Sequence, residues 1–297
     1  MTYYHVDPNR MGERIARRLE LMQGYRVLRR LPLITEMWCR TMPVPNSTFT
    51  LGVIDCETTG LDPERHRLIE IAVGKLTIDL DHGDVIDVTQ PMSWLECPGE
   101  LITPEIEALT GITDALVAGE AFPGDTIMAE LAGCDLLVSH NAHFDRAFLV
   151  RRFPNLGHRW ACSAKEVDWA AHGLAGGRGI GALVTTAGHF LPDAHRAAPD
   201  VWALTCLLAR AGVDGRSVAA HLVDTARRPT ARVFADRAPF EVKDSLKATG
   251  YRWSPAQRAW WLEGEPERIA NETAWLATLH PAIRPRVEPV DWFTRHA

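Results

Sequence analysis

From Thr48 onward, apolar and polar positions alternate in blocks that read as strands and helices. Phe49-Thr50-Leu51-Gly52-Val53-Ile54-Asp55 has the unbroken apolar character of a buried strand. Leu68 to Leu76 reads as a second, and Val85 to Trp94 as a third, with Gly83 near the preceding turn. Short polar turns between the three predict an antiparallel meander. Thr103-Pro104-Glu105 is a helix start, with Thr as N-cap and Pro at the first helical position. Asp135 to His140 reads as another strand, leading into a helix from about Ala142 to Phe153, and a last helix runs from about Ala198 through Leu208. These elements predict a mixed sheet with helices on its faces.

The pattern differs on both sides of this block. Residues 10–30 hold seven Arg and two Glu, with Ile15, Leu19 and Met22 at helical spacing, which predicts a basic surface helix. Its arginines are either a solvated face or a contact for nucleic acid or a partner. Pro43, Pro45, Asn46 and Ser47 make a linker. Residues 213–230 read as a connection. Beyond it Phe240 to Gly250 predicts a helix with a glycine stop, and Tyr251-Arg252-Trp253 with Ala259-Trp260-Trp261-Leu262 a hairpin around Ser254-Pro255. The expected division is a basic helical extension over 1–47, an α/β domain over 48–212, a linker over 213–230 and a small Trp-rich α+β module over 231–297.

Composition narrows the class. At 297 residues and 46% hydrophobic, the chain can bury one full core with material left for small modules. No apolar run reaches membrane-spanning length and the first residues lack a signal-peptide core, so no membrane is expected and a cytoplasmic setting is. Six single cysteines, without a CxxC pair or zinc spacing, read as reduced thiols. Residues 48–212 carry 11 Lys and Arg against 23 Asp and Glu, whereas the flanks together carry 21 against 15. An acidic core needs cations to admit a polyanion, and the flanks are better placed to hold one.

Three fragments carry the candidate chemistry. In Asp55-Cys56-Glu57-Thr58-Thr59-Gly60, two carboxylates two apart at a strand end share one face, with Cys56 pointing the other way. Like charges that close are costly unless a cation holds them, and hard oxygen ligands suit Mg²⁺ or Mn²⁺. Gly60 lets the backbone turn tightly. In the second fragment, Asn141 and Asp145 lie four apart after a strand and share a helix face, a placement that the helix dipole favours even without function. In the third, His195 precedes Asp200 by five residues, about 500° of helical rotation, so it belongs on the loop before the helix with Pro199 in the first turn. An imidazole there is a natural general base for a water beside a bound metal. A lone loop histidine is ordinarily just solvated, and this one gains a role only from the other four groups.

In this order, the three fragments resemble the motifs of the DEDDh family of 3′–5′ exonucleases, the DnaQ-like group that includes the proofreading epsilon subunit of bacterial DNA polymerase III. The resemblance covers roughly residues 48–212 and implies a ribonuclease H-like fold, a five-stranded mixed sheet flanked by helices. It implies two Mg²⁺ or Mn²⁺ ions, held by Asp55, Glu57 and Asp200, with Asp145 acting partly through water and His195 as the base. It implies substrate contacts from Thr58, Thr59 and Gly60, from Leu109, Thr110 and Gly111, and from Asn141 and Phe144. The substrate would be a single-stranded or frayed 3′ end, DNA rather than RNA, releasing nucleoside 5′-monophosphates, with a polymerase subunit as partner. An exoribonuclease and a non-catalytic nucleic-acid-binding subunit are the competing readings. Two departures from the family pattern, Trp202 and Ala161-Cys162-Ser163, bear on the shape of the groove.

The aromatic and cationic residues Tyr251, Arg252, Trp253, Arg258, Trp260 and Trp261 admit two readings. They can build the core of a tiny domain, or form a stacking platform for single-stranded bases.

Overall fold

Asp55 and Glu57 are placed by a long strand whose side chains are covered along most of its length. This is β1 (Thr48–Thr58), and it pairs antiparallel with β2 (Leu68–Asp79). The computed structural model describes residues 10–34, 47–192 and 195–297. Cys39 and the linker residues Pro43, Pro45 and Asn46 lie outside them. The chain divides into two compact units, the second being Ala226–Arg295, with His296 and Ala297 grouped with the first.

In the first unit, the expected third strand is broken in two. β3 (Val85–Val88) and β4 (Met92–Leu95) each pair antiparallel with β2. Pro91 lies in the break and has no N–H for a ladder. The Thr89 hydroxyl accepts the Lys75 amide at 2.9 Å instead. β5 (Leu136–Ser139) and β6 (Trp160–Cys162) extend the sheet on the other side of β1, both parallel. The sheet therefore has six strands rather than five, in the order β3-β2-β1-β5-β6 with β4 also against β2. With helices packed against it, this is the mixed, ribonuclease H-like arrangement anticipated above.

Helix starts follow local chemistry. α1 (Arg10–Glu20) lies in the N-terminal extension. α2 (Pro104–Thr110) is capped by Thr103, whose side chain accepts the Ile106 amide, and it ends at Gly111 with φ of 70°. α3 (Gly124–Ala132), α4 (Ala142–Arg152), α5 (Ile180–Thr186) and α6 (Ala197–Leu208) complete the central part. α6 packs on β1 and β2 and brings the third fragment to the first.

Two expectations are corrected. Residues 213–230 are mostly helix, α7 (Val218–Arg227), with Val218, Leu222 and Val223 buried. The sign was present: the Ser217 hydroxyl accepts the Ala220 amide, as a helix N-cap does. In the N-terminal extension, Ile15 is 54% and Met22 53% exposed. Its basic surface is partly neutralised, because Arg29 bonds Glu13 at 3.0 Å and Glu20 at 2.7 Å. Finally, Trp202 is part of the packing of the extension: its indole N–H donates to the Pro32 carbonyl at 2.8 Å.

The second unit is a split βαβ pattern. β7 (Thr230–Asp236), α8 (Lys243–Ala248), β8 (Arg252–Ser254), β9 (Ala259–Gly264), α9 (Pro266–Leu279) and β10 (Arg284–Val290) follow in sequence. The antiparallel sheet has the order β8-β9-β7-β10, as in ferredoxin-like folds. Val233, Ala235 and Leu262 pack with Leu246, Ile269 and Leu276 to form its core.

Candidate active site

The end of β1 and the first turn of α6 converge. One carboxylate oxygen from each of Asp55, Glu57 and Asp200 lies within 4.8 Å of the others. The strand's period of two sends Asp55 and Glu57 to one face, and Asp200 comes from the first turn of the helix packed there. The cluster is electrostatically unfavourable by itself. Burial, followed by the charges of Asp145, Asp200 and Glu57, raises the Asp55 carboxyl well above its ordinary range. Burial and then Asp200, Glu70 and Asp145 raise Glu57 to about 8. Asp200 is also raised by burial, against the backbone hydrogen bond from His195.

That donor set fits a divalent cation. It offers only hard oxygens, it is preorganised by two elements, and it carries repulsion that a cation would relieve. Asp145 is set apart from the close trio. It is 3% exposed on the first turn of α4, and burial raises it to about 7 while groups of its own backbone, Ser139 and Cys56 pull it back. Cys56 faces the apolar cluster that includes Leu137 and Phe148, while after burial the Asp145 charge is the largest of those acting on Asp55, so Asp145 also lies near the strand end.

His195 is exposed and precedes α6, whose first turn contains Pro199. Its φ is 67°, in the left-handed region that non-glycine residues rarely occupy. Its amide donates to Asp200 Oδ2 at 3.1 Å. The next residue, Arg196, bonds Glu70 through Nε at 2.9 Å and Nη2 at 3.1 Å, and the Ala197 amide donates to the same carboxylate at 3.1 Å. Glu70 is 1% exposed and lies opposite Glu57 in the β1–β2 register. Sequence reasoning missed it. The available signal was a single acid inside the apolar run Leu68-Ile69-Glu70-Ile71, where an unpaired charge is rarely buried.

The expected substrate residues divide into free and engaged groups. The Thr58 hydroxyl donates to the Gly60 carbonyl at 2.7 Å, and the Thr59 hydroxyl donates to Glu100 at 3.0 Å and accepts the Arg67 amide. Both are buried, so the two hydroxyls build the turn rather than face a ligand. A Cβ at Gly60 would meet the His66 ring at 2.4 Å, so any side chain there would have to displace that ring. Thr110 is likewise internal, its hydroxyl donating to Ile106 and accepting the Ile112 amide. Leu109 and Asn141 are exposed, whereas Phe144 packs on Phe148 with ring centres 5.0 Å apart and tilted planes. Just past the sixth strand, the Ser163 hydroxyl and the His140 ring are hydrogen-bonded at 2.9 Å, and Ala161 and Cys162 are buried.

Comparison with known proteins gives a consistent result. The family model RNase_T, described as Exonuclease, matches residues 53–206. Exodeoxyribonuclease 10 of Escherichia coli K12 is 35% identical over 115 residues, 39% of this chain and 46% of the relative. DNA polymerase III subunit epsilon of Aquifex aeolicus is 32% identical over 102 residues, 34% of this chain and 47% of the relative. The chain thus spans about half the length of these relatives. A solved structure of Exonuclease X in complex with 5′ overhanging duplex DNA aligns with a TM-score of 0.41 and 31% identity, over 54% of this chain and 89% of that one.

Proposed function

The chain belongs to the exonuclease family whose model matches residues 53–206, and on that premise we propose that it is a metal-dependent 3′–5′ exonuclease acting on single-stranded or frayed DNA ends. The observation that carries the proposal is the convergence of Asp55, Glu57 and Asp200 within 4.8 Å. The preference for DNA rests on the relatives, which are named as an exodeoxyribonuclease and a DNA polymerase subunit.

In this reading Asp55, Glu57 and Asp200 hold two Mg²⁺ or Mn²⁺ ions, and Asp145 acts at longer range through water. When bound, the ions activate a water for attack at phosphorus and neutralise charge on the phosphate. His195 takes the proton from that water, its exposed ring being free to move while its backbone is fixed by Asp200. The products are nucleoside 5′-monophosphates. Leu109, Asn141 and the turn at Gly60 flank the terminal nucleotide, the turn through its backbone rather than its threonine hydroxyls. Association with a polymerase is the partner supported by the epsilon relative. The five described cysteines are free thiols, in keeping with a cytoplasmic setting, and among the described residues no helix is long and apolar enough to cross a membrane.

The decisive experiment is trimming of 5′-labelled DNA and RNA oligomers, with matched or mismatched 3′ termini, in Mg²⁺, Mn²⁺ or chelator. Metal-dependent shortening from the 3′ end supports the proposal, and shortening that persists in chelator would refute it.

A further inference from the structure

The second unit carries a surface that hydrolysis does not use. Across the sheet face turned away from its helices, Arg252, Trp261, Phe234 and Arg286 form one cross-strand row. That row is already satisfied. Phe234 is 4% exposed, and Arg286 is held by Asp236 at 2.8 Å.

The edge of the sheet near α8 differs. Trp253 lies on the edge strand β8, is 49% exposed and meets Trp260 edge-on at 5.7 Å. The Lys247 ammonium lies 5.8 Å from the centre of the Trp260 ring. One turn earlier on α8, the Lys243 ammonium lies 3.8 Å from the centre of Phe240, which is 78% exposed. Among the described residues, neither lysine forms an ion pair. Asp244 lies between them in sequence and pairs with neither, while Glu241 is paired with His280 at 3.2 Å.

Exposed rings beside unpaired ammonium groups, about 6 Å apart along a helix face, call for a ligand that offers both flat apolar faces and regularly spaced anions. An apolar protein surface would strip water from both lysines without replacing it. A duplex keeps its bases stacked on each other and unavailable. Charge favours an anion too: residues 226–295 carry 12 Lys and Arg against 9 Asp and Glu, whereas residues 48–212 are strongly acidic. We propose that this surface binds single-stranded nucleic acid, with bases stacking on Trp253 and Phe240 and phosphates meeting Lys243 and Lys247.

The test uses the full chain with divalent ions chelated, so that binding is read without turnover. The probe is a fluorescein-labelled oligothymidylate of about 20 nucleotides, followed by anisotropy across a salt series. Lys243→Glu with Lys247→Glu should weaken binding at least about ten-fold and flatten the salt dependence by about two phosphate contacts. Trp253→Ala should weaken it about five-fold or more, and Trp253→Phe should restore most of the loss, since stacking survives. Circular dichroism checks that each variant is folded. Unchanged affinity in the double lysine variant overturns the proposal, as does an equal loss of affinity for blunt duplex. A protein that binds but never cleaves would leave this inference standing and remove the hydrolytic one.

Discussion

Arg196 and Glu70 form a two-pronged ion pair, with nitrogen–oxygen distances of 2.9 and 3.1 Å, immediately beside the candidate general base. The same carboxylate accepts the first helical amide of α6, at Ala197. One buried acid on β2 therefore fixes the residue after His195 and the start of the helix that carries Asp200. Two parallel bonds set orientation as well as distance, which a single contact to lysine cannot do.

Removing that clamp should separate chemistry from binding. Glu70→Ala is expected to cost about 2–3 kcal/mol of stability, because it leaves the partly exposed Arg196 and the helix start without their acceptor. Activity should fall about a hundred-fold, mostly in kcat, since small displacements of positioned groups are costly. Arg196→Lys should retain more stability than activity. Melting curves and steady-state kinetics check both, and a loss confined to KM would count against a positioning role.

The carboxylate cluster makes a prediction about pH. Glu57 is raised from 4.5 to about 8 in the folded protein, and Asp55 and Asp200 also rise. The metal-free fold thus binds protons that the unfolded chain releases in this range. The resulting stability is complete below about pH 4.5 and is lost as pH climbs through about 8. Metal-free protein should melt at progressively lower temperature from about pH 5 to about pH 8, and the gain from added Mn²⁺ should grow over the same interval. A flat pH profile with metal-independent melting would exclude the cluster as described.

Asp55→Asn should show opposite effects on stability and activity. An amide at this position cannot ionise, so the metal-free variant avoids the cost of charging it as pH rises and should be at least as stable as the parent near pH 8. Trimming of labelled oligomers should fall to less than about a thousandth of the parent rate. Retained cleavage, measured at saturating Mg²⁺, would show that the site lies elsewhere.

His195 invites a glycine substitution rather than alanine. Its left-handed backbone costs a non-glycine residue about 1 kcal/mol, so His195→Gly should leave the fold unharmed or slightly stabilised. Turnover should nevertheless fall about 10²–10⁴-fold. Added imidazole that restores part of the rate would identify the missing group as a base. A rate equal to the parent would remove His195 from the chemistry.

Much of the site could be read before any tertiary contact was known, because the rules involved are local. A strand's period of two places Asp55 and Glu57 together, and Thr103 with Pro104 marks a helix start wherever the helix later packs. The five-residue spacing from His195 to Asp200 likewise puts the histidine outside the helix. Apolar pattern alone also gives the mixed sheet, although Pro91 divides one expected strand into two. The residues at 213–230 were legible only in part, since a run rich in alanine carries a weak apolar signal and Ser217 is its main mark.

Other features depend on which distant segments meet. Glu70 faces Glu57 only because β1 and β2 pair in one register, and it meets Arg196 only because α6 packs across them. Thr58 and Thr59 were expected to contact a nucleotide, and the fold engages their hydroxyls with Gly60, Glu100 and Arg67. Asp145 belongs to the same motif set as Asp200, yet it stays outside the close trio while its charge still acts on Asp55. The chain by itself determines residue type, periodicity and caps, whose energies are settled within a few neighbouring positions. Tertiary packing decides which charges share a buried space, and there a difference of a few ångströms separates a cation site from a pair of ordinary surface acids.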